Sequence, residues 1–91
     1  MRRTQSRYTF VLDCRGGIYI SQCRARDLEQ VFPRWYQEMT KANIPDVVEI
    51  VAAFQAVGHL AATPVAGMVN VWLAPALVRQ TIAVVKIIRD D

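Results

Sequence analysis

Few side chains of this 91-residue chain are of the kinds that do chemistry, and they stand apart from one another. His59 is the one histidine and so the one candidate general base. It sits in an alanine-rich stretch with no nucleophile or carboxylate at an informative spacing, and reads as a loop or core residue. Cys14 and Cys23 are the only thiols. As metal ligands they lack companions, because His59 lies far along the chain, and they read instead as small buried or half-buried apolar residues. Asp13 and Asp27 would have to meet to work as an acid–base pair, yet each stands where turns and helix caps commonly use an acid. Arg15-Gly16-Gly17 has the glycines of an anion nest. It lacks the lysine and the strand-to-helix context of a phosphate loop, and a hairpin turn accounts for both glycines. No catalytic, metal or cofactor site is expected, and the chain does not read as an enzyme.

The remaining chemistry is charge. The formal net charge is +3, and Arg2, Arg3, Arg7, Arg15, Arg24, Arg26 and Arg34 all fall within the first 34 residues. Arg7, Arg15, Arg24 and Arg26, joined by Arg34 and Lys41, are candidate phosphate contacts, with Tyr19 as a base-stacking platform. This supports RNA or DNA binding as the alternative reading. Against it, the excess is mild and the strands carry no glycine–aromatic RNA signature. Arginines also keep an apolar protein in solution.

The elements that must position these residues are legible at both ends. Tyr8–Cys14 and Ile18–Cys23 read as two strands of a hairpin. A three-residue loop at Arg15-Gly16-Gly17 would set Cys14 opposite Ile18 and Leu12 opposite Ile20, so that Tyr8, Phe10, Leu12, Ile18 and Ile20 share one face. A two-residue loop would instead bring Phe10 opposite Ser21 or Cys23 and mix the faces. In the preferred register Cys14 and Cys23 point to opposite faces and no intrachain disulfide is expected. Leu28, Val31, Phe32, Trp35 and Met39 recur at the spacing of one helical face, with Asp27 and Gln30 as a capping box. Pro33 is expected to kink or split that helix, although the pattern runs through it. A second helix is expected over Asp46–Val57, capped by Asp46 and Glu49 and stopped by Gly58. His59–Met68 reads as a loop. Val69–Ala74 reads as a strand that ends at Pro75 on a sheet edge, and Thr81–Arg89 as a central one. The fold expected is α+β: a four-stranded antiparallel sheet in ββααββ order, strand order 2-1-4-3, with two helices on one face. Residues 1–7 read as a flexible basic arm and 8–91 as a single domain.

Composition then bears on partners. Hydrophobic residues make up 53% of the chain, and no charged residue lies between Ile50 and Val78. Two prolines and two glycines in that run argue against a membrane span. So much apolar sequence on so small a domain implies a covered surface, most simply in a two-fold homodimer. Candidate interface residues are Ala52, Ala53 and Ala56 on the second helix and Val71, Trp72 and Leu73 on the proline-ended strand. Both Trp35 and Trp72 are expected to be buried. Met1-Arg2-Arg3 is followed by polar residues rather than an apolar segment, so a cytoplasmic protein with reduced thiols is expected.

Tyr8–Gln22 together with Asn70-Val71-Trp72 resembles small bacterial proteins that open on a YTFVL–RGG–YISQ-like hairpin and close on an NVW-containing one. That resemblance implies no activity and no site residues. The strand-strand-helix opening is similar in element order to HicB-like antitoxin domains, which implies a toxin-neutralising or regulatory binding role. The function expected is a non-enzymatic, homodimeric interaction module, antitoxin-like or immunity-like.

Overall fold

The computed structural model describes residues 5–90. The elements are β1 (Ser6–Cys14), β2 (Gly17–Ala25), α1 (Leu28–Lys41), α2 (Val47–Val57), a 3-10 turn at His59–Ala61, β3 (Thr63–Pro64), β4 (Val71–Val78) and β5 (Thr81–Asp90). They build an antiparallel sheet of five strands in order β2-β1-β5-β4-β3, with the helices on one side. The inner order is the one expected. The fifth strand is the two-residue β3, inside the stretch read as a loop, which pairs Thr63 with Leu73 and Pro64 with Trp72. Of the basic arm, residues 1–4 lie outside the described residues, while Ser6 and Arg7 already belong to β1.

The first hairpin differs from expectation in register. Its turn has two residues, Arg15 (φ 52°) and Gly16 (φ 82°), both left-handed, and Cys14 pairs with Gly17. Such turns match the twist of the flanking strands better than other short loops. Leu12 therefore faces Tyr19, and Phe10 faces Ser21. Packing explains the choice. Phe10 stacks on Trp35 of α1 (4.6 Å between centroids, 12° between planes), with Phe32 and Phe54 edge-on around the indole. That cluster needs small neighbours where α1 lies on β2, and Ser21, Cys23 and Ala25 provide them. Ile18 and Ile20 then turn to the other face. Cys14 and Cys23 share the helix-side face after all, but at opposite ends of the hairpin, and both are free thiols.

α1 runs unbroken through Pro33. The missing N–H deprives only the carbonyl of Glu29, an exposed residue within reach of water. Asp27 caps it through Gln30 N at 2.9 Å, and Gln30 Oε1 in turn accepts from Arg26 N at 2.8 Å. The cap expected at Asp46 does not form. Asp46 is left-handed (φ 61°) and its carboxylate is turned to Arg15 (2.7 Å) and Arg79 (3.9 Å), while Glu49 meets Arg79 at 3.4 Å. Gly58 ends α2 as expected, its N–H bonded to the Phe54 carbonyl.

β4 starts two residues later than expected and passes through Pro75. The Asn70 carbonyl bonds towards β5 (Arg89 N, 2.9 Å) and that of Val71 towards Val65 N (2.9 Å) on the other side. Alternation along the strand turns the Pro75 nitrogen to that second side, beyond the end of β3, where no ladder bond is lost. Trp35 is 1% exposed, as expected. Trp72 is only half-buried, packed on Tyr8 (6.4 Å), with the Arg89 guanidinium over its ring at 5.8 Å.

Candidate interaction surface

The register that buries Phe10 and Leu12 under the helices leaves a second apolar face on the other side of the sheet. Across it, Ile20, Val11, Lys86 and Leu73 form one row on β2, β1, β5 and β4. Ile18, Asp13, Val84 and Pro75 form the next, and Ile82 and Leu77 close that end. Towards the opposite end come Gln22, Thr9, Ile88 and Val71, then Arg24, Arg7 and Asp90. Ile18, Ile20, Leu77 and Ile82 are 65–69% exposed, which no helix relieves. The near-continuous apolar run of β5 has this physical cause: Ala83, Val85 and Ile87 serve the core while Ile82, Val84 and Ile88 serve the outer face.

A shallow depression of about 270 Å³ lies at its centre, lined by Val11, Asp13, Ile18, Leu73, Val84 and Lys86. On the helix side, a groove of about 260 Å³ runs between β2 and α1 past Tyr19, Trp35 and Met39, and one of about 210 Å³ lies under Arg15 and Asp46. All fall short of the roughly 300–1,000 Å³ typical of small-molecule sites.

The residues singled out from the sequence are dispersed. Arg7 and Arg24 are register partners at one end of the outer face, near Arg26 at the β2–α1 junction, and Arg34 donates to the Arg24 carbonyl. Arg7 is paired with Asp90. Arg15 stands at the far end of the hairpin on Asp46, and Tyr19 lies on the helix-side face against the core. Of the interface candidates, Ala52 and Ala56 are exposed on α2, whereas Ala53 packs against the core. Trp72 is on the helix side, Val71 is nearly buried, and only Leu73 lies exposed on the outer face. These six do not form one surface. The longer turn expected from the sequence places Ile18 and Ile20 on the core face, which is why they do not stand out there as surface residues; Val11 is on the outer face with either turn.

Asp13 lies on the outer face and Asp27 at the α1 cap, so they do not meet. His59 opens the 3-10 turn, and among the described residues no three His, Cys, Asp or Glu gather as a metal-ligand set. Burial pushes the Cys23 thiol up to about 11, with Glu38 adding to the rise and Arg34 opposing it. Burial also raises Cys14, and both thiols are held protonated at neutral pH rather than activated. No helix among the described residues is long and apolar enough to cross a membrane. No protein-family model matches the chain, and no match was found among curated proteins or solved structures.

Proposed function

We propose that this chain is a non-enzymatic, cytoplasmic protein-interaction module whose contact surface is the outer face of its sheet. The observation that carries this reading is the exposed apolar set Ile18, Ile20, Leu73, Leu77 and Ile82, which stands on three of the four long strands. Water is a poor neighbour for so many apolar side chains on one face, and patches of this kind mark contact sites. An antitoxin-like or immunity-like role is one form such a module takes. The chain's two lysines provide the test, since Lys86 lies in the middle of the outer face and Lys41 at the end of α1. In a concentrated lysate of the native host, acetylation of Lys86 should be slowed several-fold relative to Lys41, compared with dilute purified protein. Equal labelling of the two in both samples would refute the reading.

A second reading is nucleic-acid binding at the end where Arg7, Arg24, Arg26 and Arg34 gather. It is the weaker one, because Tyr19 is turned to the core and, among the described residues, it is the one aromatic candidate for stacking on a base. It requires binding to mixed nucleic acids at low salt that weakens steeply as salt is added.

A further inference from the structure

We infer that the outer sheet face is closed by the same face of a second copy of this chain, with Lys86 of each protomer set against the partner's Asp13. This rests on the reading of that face as the contact surface, and adds what covers it.

The charges on the face choose the occupant. Lys86 stands on β5 opposite Val11, and Asp13 on β1 opposite Val84, one row further along. They are diagonal neighbours across the β1–β5 boundary, in the middle of the apolar strip. Among the described residues, neither takes part in a salt bridge. The two do not pair with each other in the structure, and a partner that covers the strip removes water from both, so the best-matched partner offers a negative group over Lys86 and a positive one over Asp13, about 7–8 Å apart. A wholly apolar surface leaves the two charges only each other, and an anionic one answers only Lys86. A second copy offers both by symmetry. A two-fold axis lying in the interface plane, perpendicular to the line between the two side chains and through its midpoint, carries each Asp13 over the other protomer's Lys86, and the interface is self-complementary in the sense that a closed dimer requires.

The size of the face is sufficient. Four long strands spaced about 4.8 Å apart, each of about eight residues at about 3.3 Å, cover roughly 500 Å² in projection. Two such faces together remove about 1,000 Å² from water, where specific interfaces begin. Ile18, Ile20, Leu77 and Ile82 lie around the central charge pair, so the apolar contacts fall on both sides of the axis.

The experiment is sedimentation velocity from 1 to 100 μM on the full chain, with charge variants. The parent should dimerise, and Ile20→Lys and Ile82→Lys, at exposed positions that leave the core untouched, should weaken the dimer about tenfold or more. Lys86→Asp and Asp13→Lys should each be monomeric, because each sets like charges face to face. An equimolar mixture of these two variants should recover a dimer, since every cross-pair in the heterodimer is then opposite in sign. Circular dichroism on each variant separates loss of association from loss of fold. A strictly monomeric parent, a dimer indifferent to all four substitutions, or a mixture that stays monomeric would each overturn the inference. Lysine acetylation of the pure protein at 100 μM separates this failure from that of the proposed function. Protection of Lys86 only in lysate, or only with anionic phospholipid vesicles, would assign the face to another protein or to lipid. Protection nowhere would remove both readings.

Discussion

Trp35 is the side chain on which the helix layer and the sheet converge. It stacks on Phe10 and meets Phe32 and Phe54 edge-on, each such pair adding about 0.5–1.5 kcal/mol to what burial contributes. Trp35→Ala should cost about 3–5 kcal/mol, a large share of the roughly 5–15 kcal/mol of a small domain, and leave the protein largely unfolded by circular dichroism. Trp72→Ala removes a half-buried ring and its contact with Arg89. It should cost only about 1–2 kcal/mol, read as a lowered urea midpoint in a protein that still folds. Cys23 predicts a pH dependence. Burial raises its thiol from 9.0 to about 11, so the folded protein holds the proton more tightly than the unfolded chain. The stabilisation is complete below pH 9 and declines as pH rises towards 11. The urea midpoint of the parent should fall over that window more than that of Cys23→Ala, whose own midpoint at pH 7 serves as its reference.

At the scale of elements, the two hairpins make the same turn by different means. The β1–β2 turn uses Arg15-Gly16, whereas β4–β5 uses Arg79 (φ 48°) and Gln80 (φ 67°), two residues with side chains in the left-handed region. That conformation costs a residue with a Cβ roughly 1–2 kcal/mol, which glycine avoids at some loss of chain entropy. Gln80→Gly should therefore stabilise the domain by about 0.5–1 kcal/mol, measured by thermal or urea unfolding. Asp27 is the other element-level test. Its carboxylate accepts from Gln30 N, and Asp27→Ala should cost about 1 kcal/mol, while Asp27→Ser should retain most of it.

For the whole molecule, one polar cluster joins parts distant in sequence. Arg15 from the first hairpin turn and Arg79 from the second converge on Asp46, and Glu49 also meets Arg79 at the start of α2. These groups are partly exposed and their pairing is screened by salt. Asp46→Asn, which retains a residue tolerant of the left-handed region, should cost about 0.5–1 kcal/mol at low salt and almost nothing in 1 M NaCl. The cluster sits at one end of the sheet on the helix side and not on the outer face, so this substitution should leave association unchanged.

Local pattern alone set the two helices, the presence of the four long strands and their order, but not the short β3 or the bounds of β4. Periodicity, caps and glycine stops act over a few residues and need no knowledge of the partner: Asp27 before Leu28, Gly58 after Val57, the apolar stripe through Pro33. It left undecided whatever depended on two segments at once. A one-residue difference in the Arg15-Gly16-Gly17 turn exchanges the faces of β2, and near the turn both registers satisfy the local pattern because Ile18 and Ile20 are apolar on either side. Only the placement of α1 over Ser21, Cys23 and Ala25 chose between them, since the other register sets Gln22 against Phe10 and Arg24 against Tyr8, polar groups that the buried face under the helices cannot take. The same choice turned Ile18 and Ile20 outward beside Val11, Lys86 and Asp13, and so created the surface on which the proposed function rests. The Asp46 carboxylate was likewise legible as a cap, but the tertiary structure brought two arginines to it, and a full opposite charge outcompetes a backbone N–H for a carboxylate.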